Sequence, residues 1–347
     1  MGEKTKRLKI GNIEIGGGAP VTIQSMTNTD TRNAAVTAEQ INTLAKNGCD
    51  IVRVAVPDET AANAITEIKK MISVPLVADI HFDWRLAVLS AKNGCDKLRI
   101  NPGNIGNTER VKSVADACGE RKIPIRIGVN SGSLEKDIEE KLGHSPEALV
   151  ESALRNILLL ENLGFYDIVI SIKSSSVKTT IAAYRLLSKQ TDYPLHIGVT
   201  EAGTPYSGII KSAIGIGSLL ADGIGDTLRV SLTGDPVNEV KCAKEILKAL
   251  ELRKCGIEFI SCPTCGRTEI DLVSIAEEVE RRCSGINKNI KVAVMGCVVN
   301  GPGEAKHANI GIAGGNNSGV IFKDGVVIRK VSAGQLADEL MKEIENY

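Results

Sequence analysis

The sequence predicts an α/β chain: an N-terminal (β/α)8 barrel of the TIM type, followed by a small α+β domain. Three observations carry this prediction. Strand-like and helix-like segments alternate through the first three quarters of the 347 residues. Asn47-Gly-Cys-Asp-Ile-Val-Arg-Val-Ala-Val56 and Asn93-Gly-Cys-Asp-Lys-Leu-Arg-Ile-Asn101 are near copies, each ending a helical pattern at Gly and entering a strand that carries an Arg. Near Lys254 the periodicity changes, placing the domains at 1–254 and 255–347.

The repeated grammar yields eight strands: Val21–Met26, Ile51–Val56, Leu76–His81, Lys97–Asn101, Ile123–Asn130, Asp167–Lys173, Leu195–Thr200 and Thr227–Thr233. Amphipathic helices separate most of them. Ser145-Pro146 and Asp235-Pro236 read as N-caps before a first-turn proline, and Thr37-Ala-Glu-Gln40 resembles a capping box. The long interval after Asn130 predicts an extra element. An open doubly wound sheet is the alternative, but eight units of similar length favour closure.

Strand side chains alternate between two faces. Ile123, Ile125, Ile127 and Val129 face one way; Pro124, Arg126, Gly128 and Asn130 face the other. Ile168, Ile170 and Ile172 oppose Val169, Ser171 and Lys173, and Leu228, Val230 and Leu232 oppose Arg229 and Ser231. The apolar faces meet the helices, so the polar faces line the lumen. By the same parity Arg53, Asp79, His81, Arg99, Asn101, His196 and Thr200 point inward. A barrel lumen is ordinarily filled by branched apolar side chains, whereas this one is cationic. Arg53, Arg99, Arg126, Lys173 and Arg229 converge on the C-terminal mouth, with Asp79 the clearest inward acid. Unpaired buried cations are costly, and guanidinium forks match phosphate oxygens, so the lumen predicts a multiply anionic ligand. Internal ion pairing with Asp79, Asp167 and loop acids is the competing reading.

Composition excludes other classes. Formal charge is zero and aromatics are 3%, which argues against nucleic-acid and membrane surfaces. No apolar stretch follows the charged Met1–Lys9 segment, and none is long enough to span a bilayer. Nine cysteines, an odd number and mostly scattered, fit free thiols in a reducing cytoplasm. Gly215-Ile-Gly217 lacks the third glycine of a nucleotide fingerprint.

In the last ninety residues, strands are expected at Glu258–Ser261, Lys291–Met295, Asn309–Ala313, Val320–Phe322 and Val326–Lys330. Helices are expected at Thr268–Cys283 and at Ser332–Asn346, the latter capped by Ser332. Two glycine-flanked loops carry Cys262-Pro-Thr-Cys265 and Cys297…Glu304. A C-x2-C pair occurs in zinc, redox and iron–sulfur proteins. No second C-x2-C completes a zinc ribbon, and a redox pair needs no third cysteine. Iron–sulfur clusters normally take four thiolates. Three are clear here, with Glu304 a candidate fourth ligand and Cys255 and Cys283 its competitors. Spacing leaves both a cluster and zinc open. Cys49, Cys95, Cys118 and Cys242 read as small buried apolar residues.

Ser261-Cys-Pro-Thr-Cys-Gly-Arg-Thr268 with Met295-Gly-Cys-Val-Val-Asn-Gly-Pro-Gly-Glu304 resembles the signature of the 4-hydroxy-3-methylbut-2-enyl diphosphate synthase (IspG/GcpE) family, in its compact bacterial form. Val21-Thr-Ile-Gln-Ser-Met-Thr27, Ala78-Asp-Ile-His-Phe-Asp83, Arg99-Ile-Asn-Pro-Gly-Asn104 and Gly198-Val-Thr-Glu-Ala-Gly203 extend the resemblance over nearly the whole chain. The resemblance implies a 4Fe-4S cluster on Cys262, Cys265, Cys297 and Glu304. It implies the substrate 2-C-methyl-D-erythritol 2,4-cyclodiphosphate, opened and dehydrated with two electrons in the methylerythritol phosphate route to isoprenoids. It assigns Arg53, Arg99, Arg126, Lys173 and Arg229 to the diphosphate, Asn130, Thr200 and Ser231 to nearby polar contacts, and Glu201 to acid/base work. Glu304, a harder ligand than thiolate, is expected to give way to a substrate oxygen. Asp79, His81, Asn300 and His307 are weaker candidates for supporting roles. Flavodoxin or ferredoxin is the implied electron donor, and a head-to-tail homodimer is the implied assembly. A zinc enzyme and a cluster-based redox sensor are the rival functions.

Overall fold

The computed structural model describes residues 5–284, 286, 288–297 and 308–347. They form two compact units, Met1–Arg253 and Lys254–Tyr347.

The first unit opens with a hairpin outside the eight strands expected from sequence, β1 (Leu8–Ile10) and β2 (Ile13–Ile15), paired antiparallel around Gly11 at φ +58°. Leu8, Ile10 and Ile15 are buried against Ile51, Val77 and Val169 from the early, inward positions of three barrel strands. The hairpin thereby closes the N-terminal end of the barrel with apolar side chains.

Eight parallel strands follow: β3 (Thr22–Met26), β4 (Ile51–Ala55), β5 (Leu76–Asp79), β6 (Lys97–Ile100), β7 (Ile125–Asn130), β8 (Ile168–Lys173), β9 (His196–Ile197) and β10 (Thr227–Leu228). Their order, β8-β7-β6-β5-β4-β3-β10-β9, is that of a ring, and a parallel bridge between Ile170 and Leu195 joins its ends. The expected closed barrel is therefore observed. The last two strands are much shorter than expected, because the chain past Ile197 and Leu228 leaves the ladder for the mouth loops.

Helices wrap the ring: α1 (Ala34–Lys46), α2 (Glu59–Met71), α3 (Trp84–Lys92), α4 (Pro102–Ile105), α5 (Thr108–Arg121), α6 (Lys136–Leu142), α7 (Pro146–Asn162), α8 (Val177–Leu187), α9 (Pro205–Ala221) and α10 (Pro236–Ala249). The extra element after Asn130 is a 3-10 turn at Ser131–Ser133 followed by α6. Ser145 and Asp235 cap α7 and α10 by accepting from Ala148 N and Val237 N. Thr37 begins no helix. Asn33 caps α1 through Val36 N, and Thr37 lies buried inside it, donating to Asp30 O; the nearer cap wins because the apolar face already starts at Ala34.

The structure explains the internal repeat. Gly48 and Gly94 take positive φ after their helices, and Cys49 and Cys95 are buried. Asp50 Oδ2 then accepts from Ile23 N at 2.7 Å, and Asp96 Oδ2 from Leu76 N at 2.7 Å. Each aspartate thus ties its own strand to the start of the preceding one.

The second unit is a five-stranded mixed sheet, β11 (Glu258–Ser261), β12 (Lys291–Met295), β13 (Ile310–Gly315), β14 (Ser318–Lys323) and β15 (Val326–Ser332), in chain order. Helices α11 (Leu272–Cys283) and α12 (Leu336–Asn346) pack with it around Val292, Val294, Ile310, Ile312, Leu340 and Ile344. Helix α11 starts four residues later than expected because Asp271, not Thr268, caps it. Ser332 caps no helix with its side chain. It opens a 3-10 turn and donates to Gln335 Oε1.

Candidate active site

Strand parity holds in the lumen. Ile125, Ile127, Ile168, Ile170, Leu228 and Val230 lie in the core between strands and helices, while Arg99, Arg126, Lys173 and His196 are buried on the other face. Two glycines make this crowding feasible. A Cβ at Gly128 would stand 2.4 Å from Arg99 Nε, and one at Gly198 would stand 2.8 Å from Lys173 Nζ.

Asp79 is the hub of one side. It takes Arg99 Nη1 at 3.1 Å and Arg53 Nε at 3.6 Å, with His81 Nε2 at 3.5 Å. Burial opposes its ionisation, but Arg53, His81 and Arg99 overcome that penalty and hold its carboxyl far below the ordinary range. Burial also lowers Arg53, to about 10, with Arg229 and Arg99 adding repulsion that Asp79 partly offsets. Asp167 is exposed and is no partner in the lumen.

Arg126 shows the imbalance best. Only 1% exposed, it donates from Nη1 to Ser171 Oγ at 3.0 Å, while Nε and Nη2 are buried without a partner. Burial, then Arg53 and Arg99, push its pKa well down. Lys173 is pushed down by burial and by Arg126, Arg229, Arg53 and Arg99. His196 donates to or accepts from Thr227 Oγ1 at 3.3 Å; burial first and Arg126 next hold it neutral, well below its ordinary pKa. These groups are costly as they stand, and an acceptor-rich anion would offset that cost.

Two charged groups were missed from sequence. Lys97, fully buried, lies on the inward face two residues before Arg99 and donates to Gln24 Oε1 at 3.1 Å. Strand parity alone finds it. Glu239 is 4% exposed and pairs with Arg229, Nη2 to Oε1 at 3.3 Å. Its signal was a carboxylate inside the apolar stripe Pro236, Val240, Ala243, Leu247 of α10.

Toward the mouth, exposure rises. Asn130, Thr200 and Ser231 are half-buried, and His81 and Glu201 are exposed. Thr200 N donates to Ser174 O at 3.3 Å, joining the loops after β8 and β9. Glu201 holds a left-handed backbone, φ +51°, which is uncommon for a residue with a side chain. Such positions concentrate at functional sites.

In the second unit, the parallel register pairs Ser261 with Val294, so the loops after β11 and β12 leave side by side. Gly296 N donates to Cys262 Sγ at 3.1 Å, and Cys297 follows at once. Cys265 is exposed. A backbone hydrogen bond from Arg267, with further bonds from Thr268 and Arg267, lowers its thiol below the ordinary value. Three thiols on two adjoining loops suit a soft iron–sulfur or zinc centre. Among the described residues, no three His, Cys, Asp or Glu side chains are grouped closely enough to hold a metal ion. Asn300, Glu304 and His307 lie outside the described residues. Cys283 is buried against Met341, and burial raises it to about 11, as suits a packing residue. Cys49, Cys95, Cys118 and Cys242 are likewise buried.

The first unit is thus a barrel with a densely cationic lumen, a scaffold class built for small-molecule chemistry at its C-terminal mouth, and the second presents cysteines on adjoining loops. The comparisons specify the family. Residues 5–244 match the GcpE TIM-barrel domain and residues 258–346 the GcpE protein C-terminal domain; the chain belongs to the GcpE family. A protein of Caldanaerobacter subterraneus subsp. tengcongensis, named 4-hydroxy-3-methylbut-2-en-1-yl diphosphate synthase (flavodoxin), is 64% identical over 99% of this chain and 98% of its own. Proteins of the same name are 62% identical in Clostridium acetobutylicum, over 99% of each chain, and 58% in Geobacter sulfurreducens, over 99% of this chain and 98% of the other. Among solved structures, dihydropteroate synthase from Stenotrophomonas maltophilia aligns with a TM-score of 0.51 at 13% identity, over 71% of this chain and 98% of the other. That likeness concerns the barrel fold alone.

Proposed function

We propose that this chain reductively opens and dehydrates 2-C-methyl-D-erythritol 2,4-cyclodiphosphate to 4-hydroxy-3-methylbut-2-enyl diphosphate, in the methylerythritol phosphate route to isoprenoids. The observation that carries this reading is the charge imbalance of the lumen. Among the described residues, Arg53, Lys97, Arg99, Arg126, Lys173 and Arg229 meet only Asp79 and Glu239, and two donors of Arg126 are unpartnered. A cyclic diphosphate offers many acceptor oxygens and negative charge in a compact body. The high identity to relatives of that name over the full chain supports the same reading.

In this reading residues 1–254 hold the substrate and residues 255–347 the cofactor. Arg53, Arg99, Arg126, Lys173 and Arg229 grip the diphosphate, while Asn130, Thr200 and Ser231 bind oxygens nearer the mouth. Glu201 holds the proton that the departing hydroxyl needs. Its exposed, left-handed position at the rim suits a group that meets substrate. Overall, substrate takes up two electrons and two protons and releases one water. Cys262, Cys265, Cys297 and Glu304 would hold a 4Fe-4S cluster, which when bound supplies electrons one at a time. Flavodoxin or ferredoxin is the donor, the assembly is a head-to-tail homodimer, and the enzyme works in the cytoplasm.

Anaerobic reconstitution with iron and sulfide, followed by cyclic diphosphate and dithionite, tests the proposal. It expects about four irons per chain and release of the linear allylic diphosphate. One tightly held zinc, or a loaded protein without turnover, overturns it in favour of the zinc enzyme or the sensor.

A further inference from the structure

The ladder between β10 and β3 is only two residues long, Thr227 to Thr22 and Leu228 to Ile23. Beyond Leu228 and Ile23, toward the mouth, no further rung joins the two strands. Glu239 bridges that seam from the first turn of α10. Its Oε2 accepts from Ser25 Oγ of β3 at 2.9 Å and from Arg229 Nε at 3.4 Å. Its Oε1 accepts from Leu232 N at 3.1 Å and from Arg229 Nη2 at 3.3 Å. One buried carboxylate thus replaces the missing ladder bonds and grips Arg229 side-on, through Nε and Nη2. Nη1 takes no part in either bond.

We propose that Glu239 is a positioning residue: it aims the Arg229 guanidinium into the lumen and holds the turn after β10, which carries Ser231, in place for an anion. The inference rests on the reading of Arg229 as a ligand contact. A carboxylate at this seam lowers the net positive charge, which by itself weakens anion binding. Its gain is geometric, since a guanidinium fixed on one edge loses less freedom when its other edge meets a ligand.

Calorimetry with inorganic pyrophosphate on the full-length chain tests this without requiring the cluster or turnover. Glu239→Gln preserves shape and removes the charge; Glu239→Asp keeps the charge and withdraws it by a methylene. Each is expected to weaken pyrophosphate binding by about 10-fold while the thermal midpoint shows a folded protein. In an Arg229→Ala background the same changes are expected to weaken binding no further. Unchanged or tighter binding in the folded variants overturns the proposal, as does a full additional loss on top of Arg229→Ala, which would mean a purely structural role. Wild-type protein that binds pyrophosphate with this coupling yet fails to convert the cyclic diphosphate keeps the positioning role and sinks the proposed reaction. A wild-type chain that converts the cyclic diphosphate yet does not bind pyrophosphate overturns the positioning role and leaves the proposed reaction standing.

Discussion

In the barrel the functional side chains leave strands, and the ladders set their spacing. In the C-terminal unit the thiols leave loops just past the ends of β11 and β12. Arg99 and Arg126 sit opposite one another in register, each locked by buried contacts before any ligand arrives. Cys265 is exposed, and its loop is held by local bonds with Thr268. In the proposed reading, the difference follows from what each site would bind. An anion must be met by charges already in place, because like charges do not gather unless a rigid frame holds them. A soft metal centre makes strong ligand bonds and can organise the loops that receive it.

The largest test of this contrast is Cys297→Ser. If the second unit depends on its thiols, anaerobic reconstitution should lose bound iron, and turnover should fall by more than about 100-fold. Pyrophosphate binding by the barrel should stay intact. Next, Arg126→Ala removes two buried donors and should raise the KM for cyclic diphosphate by roughly 30- to 150-fold, about 2–3 kcal/mol; a KM within twofold of wild type would contradict its inward role. Gly128→Ala would press a methyl onto Arg99 Nε and should cost about 1–3 kcal/mol in denaturant unfolding, together with weaker pyrophosphate binding.

A fourth test uses pH. Lys173 and Lys97 are held below their ordinary pKa by burial and by neighbouring cations. The unfolded chain therefore binds more protons than the folded one, and folding stability should rise with pH toward the free lysine value. An anion reverses the cause, so pyrophosphate should bind with proton uptake, seen as a buffer-dependent enthalpy at mildly alkaline pH. His196, held low by burial first, has the same sign: its contribution to stability is lost as pH falls below about 6.5. Asp79, held low by Arg53, His81 and Arg99 against burial, contributes stability above about pH 4 that is lost as its carboxyl protonates. The smallest effect should come from Arg282→Ala, which cuts a surface pair to Glu278 within α11 and one to Asp338 on α12. A change under about 1 kcal/mol in the thermal midpoint is expected.

Much of the barrel was legible because its signals are local. Asn47–Asp50 and Asn93–Asp96 announce the same helix-to-strand joint twice, and Pro146 and Pro236 mark two helix starts. Period-2 alternation places Arg99, Arg126 and Lys173 inward, and by the same parity Lys97, one layer below the mouth. Thr37 misled because a capping pattern is common inside helices, and only the turn at Asp30–Asn33 decides which residue caps. The hairpin at Leu8–Ile15 was missed although Ile-Gly-Asn-Ile is a turn between alternating residues, since two three-residue strands are too short to stand out.

The sequence by itself determined the alternation, the caps at Ser145 and Asp235 and the side of each strand that carries charge, because these depend on neighbours a few residues apart. Only the tertiary structure decided which charges meet. Asp79 reaches Arg53 and Arg99, Glu239 reaches Ser25 across 214 residues of chain, and Arg126 reaches Ser171 but keeps two donors free. Pairing of buried charges is set by which strands close the ring and in what register, and that is fixed by the packing of the whole barrel.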